Sequence, residues 1–261
     1  MIDGTAAARR HELVAVGGNS LGWYIALALS GVVSFEDGFR IVQRMALLQE
    51  EFSEGGQIIY PVTDDDWRSS AEREAAVEDV LASSGGEALD SIDLGGYRVL
   101  AGTPKGVSHL LKMLPQVRVG SITYPIRLAQ HGPYHTRFAE PTAAAARAEF
   151  ATLELHAPHT TLIDGRGRRH SPWSVDLDEL RDYTFGAQVT TPYDFTASVR
   201  VALREFAPEH IVLPGPGNTR GGIVGQVMCA DGWRGVRTKD DFLALQKASD
   251  PPFVVSMGMG A

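Results

Sequence analysis

Gly18-Asn19-Ser20-Leu21-Gly22 spells G-x-S-x-G within VAVGGNSLGWYIALALSG. A serine in that frame is a nucleophile when it sits on a sharp turn between a buried strand and a helix. The turn exposes its hydroxyl, and the first helical amides point at the reacting carbonyl. The flanks suit this geometry. Leu13, Val14, Ala15 and Val16 form an apolar run like that of a parallel strand covered on both faces. Residues 20–31 read as a short apolar helix ending at Gly31. Gly18 and Gly22 would let strand and helix approach closely, and the Leu21 N–H becomes the candidate oxyanion donor. The other reading is a glycine-rich turn that happens to hold a serine.

A nucleophilic serine needs a base. The chain has 8 histidines, and spacing alone leaves all of them open. His135 stands out locally, in HGPYHTRF, on a loop after Gly132 and Pro133 and ahead of a helix. His156 and His159 in HAPH do not make a metal pair, because Pro158 between them breaks helical i,i+3 spacing. Cys229 is the single cysteine, so an internal disulfide and a cysteine-based zinc site are both excluded.

The elements that must position these residues follow from periodicity. Ser34 three residues before Asp37 marks a helix start, and 35–52 has helical spacing through Phe39, Val42, Met45 and Leu48. IIYPV reads as a strand, and Thr63 is placed to cap an acidic helix over 64–82. SSGGEALDS reads as a turn region, GYRVLAG as a strand, and Pro104 opens a helix over 104–114. VRVGSITYPIRLA is strand-rich. Helices are predicted over 142–153, in DLDELRDYTFGAQ, in TPYDFTASVRVALREFAPE and in TRGGIVGQVMCA, with strands in TTLIDGRGRR and HIVLPGPGN. Alternating strands and helices predict an α/β large domain, residues 1–55 and 129–261, interrupted by a small α+β subdomain, residues 56–128.

At 261 residues the chain is long enough for one domain with an insertion. Its formal charge of −8 and lack of a long Lys/Arg run argue against nucleic acid as a partner; GRGRRH, residues 165–170, is the nearest approach. No apolar run reaches the roughly 18–20 residues of a membrane span, and MIDGTAAARRHE lacks the apolar core of a signal peptide. With one cysteine, these features predict a cytoplasmic protein.

Several segments together resemble the malonyl-CoA:acyl-carrier-protein transacylase family and the acyltransferase domains of polyketide synthases. GNSLGWYIALALSGVVSFEDGFRIV is similar to that family's G-H-S-L-G-E elbow and its downstream helix. GPYHTRFAEP resembles its histidine segment, TTPYDFTASV its N-P-V-x-W-x-x-S-V, and VLPGPGNTRGGIVGQV its G-P-G segment. The resemblance implies a parallel-sheet, α/β-hydrolase-like large domain with an inserted ferredoxin-like lid. It implies Ser20 as acyl-accepting nucleophile, the Leu21 N–H in the oxyanion hole, and His135 as general base and acid. A backbone carbonyl would orient His135, at the position of Asp194. No permanent cofactor is implied. The substrates would be a coenzyme A thioester and the phosphopantetheine thiol of an acyl carrier protein, in fatty acid or polyketide biosynthesis.

Three departures from the pattern bear on function. The family's opening strand and G-Q-G-S-Q segment, whose glutamine contributes to the oxyanion hole, have no counterpart ahead of Val14. Asn19 replaces the usual histidine before the nucleophile. Met45 stands where the family carries its carboxylate-binding arginine, while Arg44 is rotated about 100° around the helix. Tyr134 falls in the substrate-sorting motif and is bulky. An apolar Met45 cannot pair with a malonyl carboxylate, so a small uncharged acyl group is expected. The alternatives are a thioesterase-like serine hydrolase and a degenerate, non-catalytic relative serving as a partner subunit.

Overall fold

The computed structural model describes residues 11–52, 54–215, 219–248 and 250–259. The segment ahead of His11, used above in the signal-peptide argument, and residues 216–218 of the G-P-G-N turn lie outside the described residues.

The elbow strand β1 (Ala15–Gly17) leads into α1 (Gly22–Leu29) and α2 (Phe35–Phe52). Ser34 caps α2 as its spacing predicts: the Asp37 N–H donates to Ser34 Oγ at 3.0 Å, and the hydroxyl donates back to Asp37 Oδ2 at 2.8 Å. The insert follows as β2 (Gly56–Pro61), α3 (Ala71–Ser83), β3 (Ala88–Leu94), β4 (Tyr97–Gly102), α4 (Pro104–Met113), the hairpin β5 (Val117–Val119) and β6 (Ile122–Tyr124), and β7 (Ile126–Arg127). Its strands pair antiparallel in the order β3-β4-β2-β7, the ferredoxin-like arrangement of a β-α-β-β-α-β unit.

The rest comprises α5 (Glu140–Glu149), β8 (Thr161–Ile163), β9 (Arg169–His170), α6 (Leu177–Asp182), a π-type turn (Tyr183–Ala187) and α7 (Gln188–Thr190). Then come β10 (Tyr193–Asp194), α8 (Phe195–Phe206), β11 (Ile211–Leu213), α9 (Thr219–Asp231), α10 (Lys239–Ala248) and β12 (Val254–Ser256). β1 pairs parallel with β8, and β11 with β12, as an α/β fold requires. Among the described residues these pairs belong to separate sheets of three and two strands.

Strand alternation decides what each face of the insert touches. Ile58, Tyr60 and Leu100 pack with Val77 and Val80 of α3 and with Val107 and Leu110 of α4. Ile92, Leu94 and Val99 on the opposite face pack against Val199 and Leu203 of α8 and Val224 and Val227 of α9. β10 adds a parallel strand to β3, so the insert's sheet is hydrogen-bonded to the chain that follows the π turn. A third core joins α1, α2, α5 and the π turn through Trp23, Leu27, Ile41, Ala143 and Phe185.

Four local expectations need correcting. Leu13 and Val14 are 59% and 38% exposed, because β1 starts only at Ala15 and forms the edge of its sheet. The acidic helix begins at Ala71, capped by Ser70 rather than Thr63. The Asp64 carboxylate accepts the N–H groups of Asp66 and Arg68, both at 2.9 Å, and this turn displaces the first helical turns. Residues 88–91, read as part of the turn region SSGGEALDS, instead begin β3; Gly85 and Gly86 with positive φ make the turn just ahead of it. The helix expected over 142–153 runs Glu140–Glu149.

Candidate active site

Ser20 sits between β1 and α1 with φ +55°, in the left-handed region that strains any residue except glycine. Gly18 is what permits the turn: a Cβ there would lie 2.1 Å from the Gly22 backbone. Gly22 has open space around it, so the close approach requires only the first of the two motif glycines. The Gly22 N–H donates to the Asn19 carbonyl at 2.8 Å and the Trp23 N–H to the Ser20 carbonyl at 2.9 Å, which starts α1 directly after Ser20. Leu21 lies at this helix entry, where the first amides have no intrahelical partner.

The structure brings His135 to Ser20 across 115 residues of chain. His135 Nε2 is 2.7 Å from Ser20 Oγ, and its ring is buried, with the residue 2% exposed. Nδ1 is 2.6 Å from the Gln188 carbonyl. A carbonyl only accepts, so Nδ1 carries the proton and Nε2 is left to accept from the serine hydroxyl. Burial pushes the His135 pKa down to about 4; the Gln188 carbonyl opposes this and His131 adds to it. The ring is therefore neutral at ordinary pH, the state a base requires.

The orienting acceptor is Gln188, not Asp194. The reason is local. In a continuing helix the Gln188 carbonyl would accept from the amide of residue 192, but residue 192 is proline and has no N–H. The carbonyl left over at the end of α7 takes the His135 Nδ1 proton, and the next carbonyl, Val189, takes the His135 N–H at 2.9 Å. The Gln188 side chain also donates to the Ser20 carbonyl at 3.2 Å and accepts from the Tyr24 hydroxyl at 2.9 Å. Asp194 instead caps α8, accepting from the Ala197 N–H at 2.6 Å, and its own N–H donates to Gly165 at 2.7 Å. Gln188 was legible in principle, as the residue four before Pro192.

Tyr193 was also missed. It is fully buried, donates its hydroxyl to the Gly18 carbonyl, and sets its ring against His135 with centroids 5.4 Å apart. Tyr134 is half-buried beside His131, with ring centroids 6.0 Å apart. Met45 is enclosed in the core with Ile41 and Leu48, 1% exposed. Arg44 turns away and grips Glu149 through both Nε and Nη2. Asn19 is half-buried in the elbow.

Behind the elbow lies a buried charged cluster. Asp164, directly after β8 and 0% exposed, accepts from His170 Nε2 at 3.1 Å and from Arg166. Burial would raise the Asp164 pKa, but the His170 and Arg166 hydrogen bonds outweigh it and hold the carboxylate below its ordinary range. In GRGRRH, Arg168 pairs with Glu179 and Arg169 with Glu205, so that segment is not the free basic patch its sequence suggests.

Among the described residues no group of three or more His, Cys, Asp or Glu is placed to hold a metal ion, and no helix is long and apolar enough to cross a membrane.

This fold, an elbow serine in an α/β frame with a ferredoxin-like insert, is the fold of the acyl-carrier-protein malonyltransferases. A malonyl-CoA:acyl carrier protein transacylase from Xanthomonas oryzae pv. oryzae superposes with a TM-score of 0.70 at 24% identity, over 85% of this chain and 67% of that one. An acyl-carrier-protein S-malonyltransferase from Burkholderia pseudomallei gives 0.69 at 20% identity, over 85% and 69%. The Synechocystis malonyl-CoA:ACP transacylase gives 0.70 at 19% identity, over 86% and 70%. No family model and no curated protein matches the sequence.

Proposed function

We propose that this protein is an acyltransferase. It moves an acyl group from coenzyme A, through an ester on Ser20, to the phosphopantetheine thiol of an acyl carrier protein, in fatty acid or polyketide biosynthesis. The observation that carries the reading is the hydrogen-bonded chain Ser20 Oγ to His135 Nε2 and His135 Nδ1 to the Gln188 carbonyl, set in a fold shared with malonyltransferases.

In the first half-reaction His135 Nε2 takes the Ser20 proton as Oγ attacks the thioester carbonyl. The oxyanion forms against the Leu21 N–H. Collapse breaks the C–S bond, and the coenzyme A thiolate leaves with the proton from Nε2. In the second half-reaction the phosphopantetheine thiol gives its proton to Nε2 and attacks the ester carbonyl. Ser20 leaves and recovers the proton. The Gln188 carbonyl steadies the transient imidazolium in both directions.

The acyl group is small and uncharged. Met45 offers only enclosed apolar surface, and Arg44 is already paired with Glu149. A malonyl carboxylate would find no cation at that position. Lys105, Lys112 and Arg118 on the insert are candidate contacts for an acidic carrier protein.

Incubation with acetyl-CoA should add one acyl group per chain by intact-mass spectrometry, on Ser20, and Ser20→Ala should abolish it. Undiminished labelling of Ser20→Ala would reject the reading.

A further inference from the structure

The backbone of His135 is as unusual as its ring. Its φ is +56°, a left-handed conformation that strains a non-glycine residue and persists only where its surroundings enforce it. The peptide group joining Tyr134 to His135 is held from both sides. On one side, the His135 N–H donates to the Val189 carbonyl at 2.9 Å. On the other, the Tyr134 carbonyl accepts from Ser91 Oγ at 2.8 Å and from Gln57 Nε2 at 3.4 Å.

Ser91 and Gln57 belong to the insert, on β3 and β2, and both are fully buried. They are themselves fixed. Gln57 Nε2 donates to Ser91 Oγ at 2.6 Å, and Gln57 Oε1 lies 2.7 Å from His131 Nδ1. Donors and acceptors are consistent along the whole run: His131 Nδ1–H to Gln57 Oε1, Gln57 Nε2–H to Ser91 Oγ, and Ser91 Oγ–H to the Tyr134 carbonyl. A buried glutamine on an inner strand of the sheet is costly unless both ends of its amide are satisfied. Here the amide's partners lead to the residue before the base.

We propose that Gln57 and Ser91 are positioning residues for His135: by holding the Tyr134 carbonyl they keep the base in its left-handed conformation with Nε2 on Ser20. The insert's sheet is then part of the proton-transfer machinery, and an insert displaced from the large domain would release the base. The inference rests on the acyltransferase reading given above.

The test is single-turnover acylation of Ser20 by acetyl-CoA in Ser91→Ala and Gln57→Met, with Ser91→Thr as the variant that keeps the hydroxyl. Circular dichroism and Tm establish the folded fraction. A misplaced base costs about tenfold to a hundredfold in rate. That loss is expected in the maximal acylation rate of Ser91→Ala and Gln57→Met per folded molecule, with the acetyl-CoA concentration at half-saturation unchanged, and with Ser91→Thr recovering most of it. The acid limb of the pH–rate profile should also move. His135 faces Ser20, the Gln188 carbonyl, the Tyr193 phenol and His131, and loosening its loop admits water, so the limb should rise from about 4 towards the ordinary 6.5. If Ser91→Ala and Gln57→Met both keep the wild-type rate and acid limb while His135→Ala loses activity, the inference fails and the acyltransferase reading stands. If His135→Ala itself keeps the wild-type rate, both fail.

Discussion

The Tyr193 hydroxyl donates to the Gly18 carbonyl, so the elbow that carries Ser20 is tied to the strand whose aromatic ring abuts His135. Burial raises the phenol's pKa well above its ordinary value, which keeps it a neutral donor. Gly165 is fitted to the same ring: a Cβ there would come within 2.4 Å of it.

Tyr193→Phe keeps the ring and removes the hydroxyl, which bonds the part-buried Gly18 carbonyl and also Tyr183, at a cost of about 1–3 kcal/mol. Urea denaturation should show this loss with the acylation rate less affected. Tyr193→Val also removes the ring beside His135 and should lower the acylation rate further. Equal rates for the two variants would mean that the ring plays no part in holding the base.

The pH dependence follows from the buried imidazole. With its pKa near 4, His135 stays neutral as pH falls through the range in which an ordinary histidine protonates. Acylation should therefore hold nearly level from pH 8 down to about 5, where an unperturbed histidine of pKa about 6.5 would already be mostly inactive. Folding stability behaves differently. Below about 6.5 the unfolded chain binds a proton at this site that the folded chain does not, so stability from this group is full above that pH and declines as pH falls towards 4. A rate that halves near 6.5 would contradict the buried, neutral base. His135→Ala should slow acylation by about 10²–10⁴ with the far-ultraviolet spectrum unchanged.

Acyl choice is checked by competing donors. Charge-assisted hydrogen bonds contribute about 1.5–3 kcal/mol each, so without a cation malonyl transfer should be at least about tenfold slower than in a relative that has the arginine, and acetyl-CoA should acylate Ser20 faster than malonyl-CoA. Arg44→Ala should leave that ratio alone, since its guanidinium is committed to Glu149. A malonyl preference that disappears in Arg44→Ala would assign the carboxylate to Arg44 and overturn the neutral-acyl reading.

Asp164 should be among the most sensitive positions for stability. Its carboxylate is wholly buried between His170 and Arg166, and removing one partner of such a set typically costs about 3–5 kcal/mol. Asp164→Ala should show a loss of that order by urea denaturation. Because the Asp164 carboxyl is held below its ordinary range, its contribution is present at neutral pH and is lost as pH falls through the folded pKa. A change below about 0.5 kcal/mol, the level of an ordinary surface substitution, would show that the cluster carries no stability.

Local chemistry was legible in the sequence. Ser20 between an apolar run and a helix, Ser34 ahead of Asp37, and Pro104 at a helix start each depend on neighbours within a few residues, and the structure places all three as their spacing implies. The insert's β-α-β-β-α-β order came less completely. Asp90 and Asp93 broke the apolar pattern of β3, and their tolerance there depends on Arg98 across the strand pair and on Thr196 of α8.

The site's remaining partners come from distant parts of the chain. Which of the histidines meets Ser20, and which carbonyl holds that histidine, depend on packing between segments separated by 53 to 115 residues. A hydrogen bond carries no local sequence signature when donor and acceptor are brought together by the burial of other residues. Asp194 was the wrong choice for that reason: its own helix uses it as a cap, while the proline two residues earlier frees the carbonyl of Gln188. Only the tertiary structure decided that Gln57 and Ser91 of the insert reach the backbone of the base, because the contact exists only once two separately packed layers have closed on one another.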